Sequence, residues 1–355
     1  MTLRFRAGLR ATFTFASLFI VARAGAQDST AARSLPPVEI HGFLQTYYRS
    51  GDPTIKDGFR LRKVDLKFSG ALSPHLRWRI GFDAAKALTL TKTLVDVQDS
   101  LVLTDAAIDQ RSRMLQDAAL TYAFDKRLSL DVGQQIVPLS LEGTISTSAV
   151  ETIERTMFII ERSRAVGLGD VREIGVSANG LALRTIEYHV GVFNEMGEAA
   201  GTVDVNDQKA IMSRVAIHPN PNFQFGGSGG FQGGPLLAHK ERAAGEIQFR
   251  NAMVTLRSEA MSARDGPLRR FGWYALTAVR PTTRFQLVAR YDDWDRDIHG
   301  ESSIANATER AFVIGGSYVF DGSAKIAVNL IRQTFPFITL PRDATIVLAA
   351  FQAFW

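Results

Sequence analysis

The sequence predicts an all-β protein: a transmembrane antiparallel β-barrel of about 16 strands, with short periplasmic turns and long extracellular loops. Three observations predict it. Apolar and polar residues alternate with a period of two in segment after segment, the links between segments alternate between short and long, and an export signal opens the chain of 355 residues. The clearest segment runs from Leu76 to Ala84, with Leu76, Trp78, Ile80, Phe82 and Ala84 at one parity and Arg77, Arg79, Gly81 and Asp83 at the other. A strand projects successive side chains to opposite faces, so this segment has one apolar face and one charged face. The preceding segment does the same, with Val64, Leu66 and Phe68 against Lys63, Asp65 and Lys67. A soluble sandwich also alternates. What favours a barrel is inward charge combined with outward Trp and Phe, repeated along a long exported chain.

The first residues carry Arg4, Arg6 and Arg10, then the apolar stretch Ala11 to Val21, then Ala24-Gly25-Ala26. That is a secretory signal with an A-x-A site, and cleavage is expected after Ala26. Residues 1–26 hold four arginines and no acid, so their removal takes the net charge from +5 to +1. A nucleic-acid role thereby loses its electrostatic support. The chain has no cysteine, which excludes disulfides, thiolate metal sites and cysteine nucleophiles. After the signal no apolar run approaches the roughly 18 residues of a membrane helix. Residues 27–37 are small and polar, end in Pro36-Pro37, and read as a disordered lead-in to a barrel over 38–355.

From Val38 the alternation marks strands near 38–49, 59–70, 75–84, 114–124, 127–135, 171–179, 183–194 and 209–218, then 222–231, 242–250, 252–261, 271–280, 283–292, 309–320, 324–333 and 343–355. Links after even-numbered strands are tight, as at Ser73-Pro74, Asp125-Lys126, Pro219-Asn220-Pro221 and Asp321-Gly322-Ser323. Links after odd-numbered strands are expected to be longer, reaching about 29 residues after Ala84 and about 35 after Gln135. This asymmetry is that of an outer-membrane barrel, and an even strand count puts both termini in the periplasm. Aromatics gather where the short turns meet the strands: Tyr122, Phe124, Phe223, Phe225, Phe285, Tyr318 and Phe320. They form a candidate interfacial girdle. The last strand alternates down to Phe351, Phe354 and Trp355, with Phe351 and Trp355 expected to face lipid and to serve the barrel-assembly machinery.

Several motifs then carry a resemblance: Phe59-Arg60-Leu61-Arg62-Lys63-Val64 followed by Phe68-Ser69-Gly70, Val132-Gly133-Gln134-Gln135-Ile136-Val137-Pro138-Leu139, Arg172-Glu173-Ile174-Gly175-Val176, and Gly191-Val192-Phe193-Asn194-Glu195-Met196-Gly197. In order and spacing the mature chain resembles the porin O/P group of phosphate- and polyphosphate-selective outer-membrane porins. The resemblance implies a 16-stranded, usually trimeric barrel whose third long loop folds into the lumen, here about Ile136 to Asp170, entered through Pro138. It also implies arginines along the lumen and lysines holding phosphate at the constriction. The loop of this chain has no lysine; it has Arg155, Arg162 and Arg164 against Glu142, Glu151, Glu154, Glu161 and Asp170.

Strand parity nominates a pore-lining anion path of Arg77, Arg79, Lys63, Lys67, Arg113, Arg214, Arg257, Arg290 and Lys325. Such donors replace part of an anion's lost hydration. Interleaved acids at Asp65, Asp83, Asp117, Asp131, Glu173, Glu187, Glu246, Glu259 and Asp292 would instead pair with them and leave a lumen of low net selectivity. Arg77 and Arg79 are the leading candidates, with Asp65 and Asp83 as the acids able to neutralise them. Asp292-Asp293-Trp294-Asp295-Arg296-Asp297 has the oxygen density of a Ca²⁺ loop but lacks its glycine and terminal glutamate, which favours a solvated loop facing lipopolysaccharide. No histidine spacing fits a metal site, and no cofactor is expected. The expected function is passive diffusion of small hydrophilic solutes, anions such as phosphate among them, through a homotrimer in the outer membrane of a diderm bacterium. Two other classes compete with it. A barrel enzyme of the phospholipase type needs a nucleophile and base, for which no G-x-S-x-G motif occurs; a structural or adhesive barrel would carry no current.

Overall fold

The computed structural model describes residues 37–51, 57–86, 89–97, 100–109, 114–160, 168–194, 208–233, 239–299, 308–334 and 343–355. The expected signal and most of the lead-in lie outside the described residues, as do Arg113, Arg162 and Arg164. The strands begin with β1 (Glu39–Gly51), β2 (Gly58–Ala71), β3 (Leu76–Asp83), β4 (Thr89–Val97), β5 (Ser100–Asp109) and β6 (Leu115–Ala123). They continue with β7 (Ser129–Ile136), β8 (Arg172–Ala182), β9 (Ile186–Phe193), β10 (Ala210–Asn220), β11 (Phe223–Gln232) and β12 (Lys240–Arg250). The last are β13 (Val254–Asp265), β14 (Leu268–Val279), β15 (Phe285–Asp295), β16 (Thr308–Val319), β17 (Ala324–Thr334) and β18 (Asp343–Phe354).

All but β4 and β5 close one antiparallel barrel of 16 strands, with β1 paired to β18 at the seam. Closure follows from the solvent: hydrocarbon offers no partner to an unpaired backbone group, so a membrane-spanning sheet must have no edge. β4 and β5 pair only with each other, as a hairpin within the connection between β3 and β6. That connection was expected to be a loop. Its alternating Thr, Leu and Val residues supply a second short ladder.

Inner and outer faces follow the period of two. On β14, Arg270, Tyr274, Leu276 and Ala278 are buried inward, while Phe271 and Val279 are exposed outward. The girdle aromatics Tyr122, Phe124, Phe225, Phe285, Tyr318 and Phe320 are all exposed at the short-turn rim. Three girdle pairs are in ring contact, Tyr122 with Phe124 and Tyr318 with Phe320 edge to face and Phe223 with Phe225 tilted.

One long-rim connection departs from expectation. β13 and β14 extend until only Gly266 and Pro267 join them. Gly266 takes φ 60°, at the first central position where a two-residue hairpin favours glycine. Asp265 beside it pairs with Arg242 at 2.6 Å and Arg270 at 3.2 Å, so the longer ladder ends in an ion cluster instead of an exposed loop.

The largest apolar cluster sits inside the barrel. It joins Val137, Leu139, Phe158, Ile159 and Leu168 of the segment after β7 to inward residues such as Phe193, Met212, Met261, Tyr274 and Trp294. That segment contains the short helices α1 (Leu141–Thr144) and α2 (Met157–Ile160). Phe158 lies 6.1 Å from the Tyr274 ring and 6.3 Å from Trp294. Gly272 permits this approach: a Cβ there would sit 2.8 Å from both Phe158 and Trp294.

Candidate functional site

The lumen is shaped by what the segment after β7 holds on to. Val137 N–H bonds Val171 O at 2.9 Å, closing the neck, and Pro138 behind it is buried. Ser140 N–H then reaches Ser228 on β11, and the N–H groups of Leu141 and Glu142 donate to the Glu259 carboxylate on β13. These first N–H groups of a helix have no partner within it, and an acid is the natural acceptor. Further along, Arg290 on β15 donates to Thr152 Oγ1 at 2.6 Å, Glu154 O at 2.8 Å and Arg155 O at 3.0 Å. Thr156 Oγ1 donates to Asp292, Ile153 N–H donates to Asn329 on β17, and Arg62 on β2 forks onto Glu154. The hydrogen-bonding anchors thus come from β11 round to β17 and on to β2, with Gln45 on β1 donating to Ile153 O; β3 and β9 contribute no such bond among the described residues.

The sequence-nominated cations fall into three groups. Arg77, Arg79 and Arg214 face the lumen but are paired: Arg77 with Glu39 at 3.4 Å, Arg79 with Asp131 at 3.3 Å, and Arg214 with Glu246 at 2.6 Å. The neutralising acids of the leading pair are therefore Glu39 on β1 and Asp131 on β7, each two strands from β3 on the same face, and not Asp65 or Asp83. Asp65 instead holds Lys63, which is buried, at 3.3 Å.

Arg257 and Arg290 form the second group, and here the anion-path expectation is corrected. At 2% and 3% exposure both lie beneath the loop and fasten it to the wall. Parity placed them inward correctly, but the loop covers them. Arg155 is likewise a brace within the loop, donating to the carbonyls of Glu142 and Ile145. The third group, exposed Lys67 and half-buried Lys325, makes no ion pair among the described residues.

Two features escaped strand parity. β2 carries a bulge: Gln45 pairs with Lys63 but Thr46 pairs with Leu61, so Arg62 is the extra residue. A bulge re-aims everything beyond it. Arg60 and Arg62 consequently line the lumen, while Phe59 and Leu61 point outward at 84% and 57% exposure. The second feature is Glu151, buried in the loop and met by Arg250 at 2.6 Å, Arg257 at 3.1 Å and Arg280 at 3.8 Å. Lys325 is coupled electrostatically to the same carboxylate. The gathering joins residues far apart in sequence and has no local signature.

The acidic run after Tyr291 does not converge. Asp292 is buried inward against Arg290, whereas Asp293 turns to the other face and pairs with Arg310. Alternation along β15 separates the carboxylates, and no cluster of three metal-ligating side chains occurs among the described residues. At the seam, Phe351 and Trp355 face outward at 42% and 59% exposure.

Comparison with known proteins fits this architecture. The fold is shared with the anion-selective porin from Comamonas acidovorans, which is 12% identical with a TM-score of 0.61, over 90% of this chain and 100% of that one. It is shared with OmpT of Vibrio cholerae in its trimer form, at 11% identity and a TM-score of 0.57, over 90% and 99%. It is shared too with OmpF of Salmonella typhi, at 7% identity and a TM-score of 0.61, over 90% and 98%. No curated protein sequence matches. The family model for phosphate-selective porin O and P matches residues 38–232. With more than half of the chain matched and the barrel closed, the chain belongs to the phosphate-selective porin O and P family and is an outer-membrane porin.

Proposed function

We propose that this porin is a passive, non-enzymatic channel for small hydrophilic solutes that prefers anions, phosphate among them. In this reading residues 136–170 narrow the lumen, cleavage after Ala26 precedes insertion, and three copies assemble beside lipopolysaccharide. The carrying observation is the excess of cations near the short-turn rim, where Arg250, Arg257, Arg280 and Lys325 surround the single carboxylate of Glu151. Lys67 adds an exposed ammonium on β2. Fixed charge of one sign between low-dielectric walls raises the local concentration of the opposite ion. The family match and the anion-selective structural neighbour support the same direction.

The test uses the two lysines that form no ion pair among the described residues, so that reversing them breaks none of the bonds described above. Lys67→Glu with Lys325→Glu is expected to move the reversal potential in a dilute KCl gradient towards cations. The shift should fade near 1 M salt, where the Debye length is about 3 Å. An unchanged reversal potential overturns the anion preference. A folded barrel that never conducts marks a structural barrel instead.

A further inference from the structure

We infer that the lumen contains, on its long-loop side, a binding site for an organic anion with an apolar body, such as an aryl carboxylate. It deepens the anion preference proposed above and rests on it for solute access. A cavity of about 500 Å³ lies between Glu154–Met157 of the loop and the inner wall. That is the size of a small-molecule site. Its wall is apolar where a porin lumen is ordinarily polar. Tyr47, Val313, Ile331, Ile346 and Leu348 line it from the adjacent strands β1, β16, β17 and β18. The loop covers part of this patch with Ile153, packed among Tyr47, Ile346 and Leu348, and leaves the rest facing the cavity.

The charge is complementary to the same ligand. Arg62 is spent on Glu154, which it holds through both oxygens. Arg49 and Arg60 also line the cavity, and neither guanidinium makes a hydrogen bond or ion pair among the described residues. The bulge at Arg62 puts Arg60 on this face, within two residues of the outer end of β2, opposite Tyr47 in register. A planar guanidinium binds carboxylate through two parallel hydrogen bonds and stacks on aromatic faces. Inorganic phosphate would satisfy the arginines but leave the wall of Ile331, Ile346 and Leu348 wet. A carboxylate on a flat hydrocarbon body satisfies both.

Planar-bilayer conductance tests the site, with sodium 1-naphthoate and sodium acetate as probes of equal charge. Naphthoate is expected to halve the current at a concentration at least about tenfold lower than acetate, the difference being the apolar surface that leaves water. Arg49→Gln with Arg60→Gln should remove this block without disturbing folding, since neither guanidinium makes a hydrogen bond or ion pair among the described residues. Ile331→Asn should weaken naphthoate block and leave acetate unchanged. Lys325→Gln, near the other rim, should leave naphthoate block intact. Equal potency of the two probes, or block unaltered by the double arginine substitution, overturns the site. The same recordings separate it from the broader reading: anion-directed reversal with equal block removes the pocket alone, and cation-directed reversal without excess naphthoate block removes both.

Discussion

Arg290→Ala is expected to release the lumenal loop and raise single-channel conductance while the barrel stays folded. The Arg290 guanidinium holds Asp292 at 3.0 Å and three acceptors on the loop, and the side chains of Arg290 and Asp292 are themselves buried. Truncation leaves a buried carboxylate without its cation and three oxygens without a donor. Breaking a buried pair from one side costs about 3–5 kcal/mol. The barrel does not bear that cost, because its ladders are continuous on both sides of β15. It falls on loop docking, the less cooperative part of the molecule. The open-channel current should therefore rise and become noisier, with heat-resistant electrophoretic mobility retained. Adding Asp292→Ala removes the stranded charge and should recover part of the wild-type current, since losing both partners costs less than losing one. Unchanged conductance in Arg290→Ala would mean that Glu259 and Asn329 hold the loop by themselves.

How far the molecule could be read without coordinates depends on which signals are local. Parity is local, so the faces of Leu76 to Asp83, the girdle at Tyr122 and Phe124 and the outward aromatics of the last strand were all legible. A bulge is local too but adds one residue silently. Nothing in Arg60-Leu61-Arg62-Lys63 announces that Arg62 is the extra one, and its insertion reverses the faces above it. The loop anchors are not local at all. Ile153 meets Asn329 across 176 residues and Leu141 meets Glu259 across 118, and no periodicity encodes such pairs. Hence Arg257 and Arg290 had the same pattern as Arg79, and only the fold shows which cations the loop covers. The β4–β5 hairpin was hidden differently: its ladder lies outside the barrel, so no membrane-facing alternation with a matching neighbour called for it.

Gly42→Leu is expected to reduce the amount of inserted barrel severalfold, and to do so through Trp355. The barrel closes where β1 meets β18, and its last step joins Gly42 and Trp355 by N–H to O bonds of 2.9 Å and 3.2 Å in both directions. The indole then lies across Gly42, where a Cβ would come within 2.0 Å of the ring. Any side chain must push the ring off, and overpacking of this kind costs about 1–3 kcal/mol. Trp355 sits at the short-turn rim, exposed outward, where an amphipathic ring is best placed at headgroup level. Displacing it therefore disturbs both seam and anchor. Deleting Phe354 and Trp355 should likewise lower the inserted fraction, read as the heat-resistant band in outer-membrane preparations, with unit conductance unchanged in the barrels that do form. Trp355→Ala in the Gly42→Leu background distinguishes clash from lost signal. If the seam clash dominates, the second substitution restores part of the insertion; if recognition of the terminal aromatic dominates, it lowers insertion further. Normal insertion of Gly42→Leu would show that the ring has another seat and that the glycine serves only the backbone.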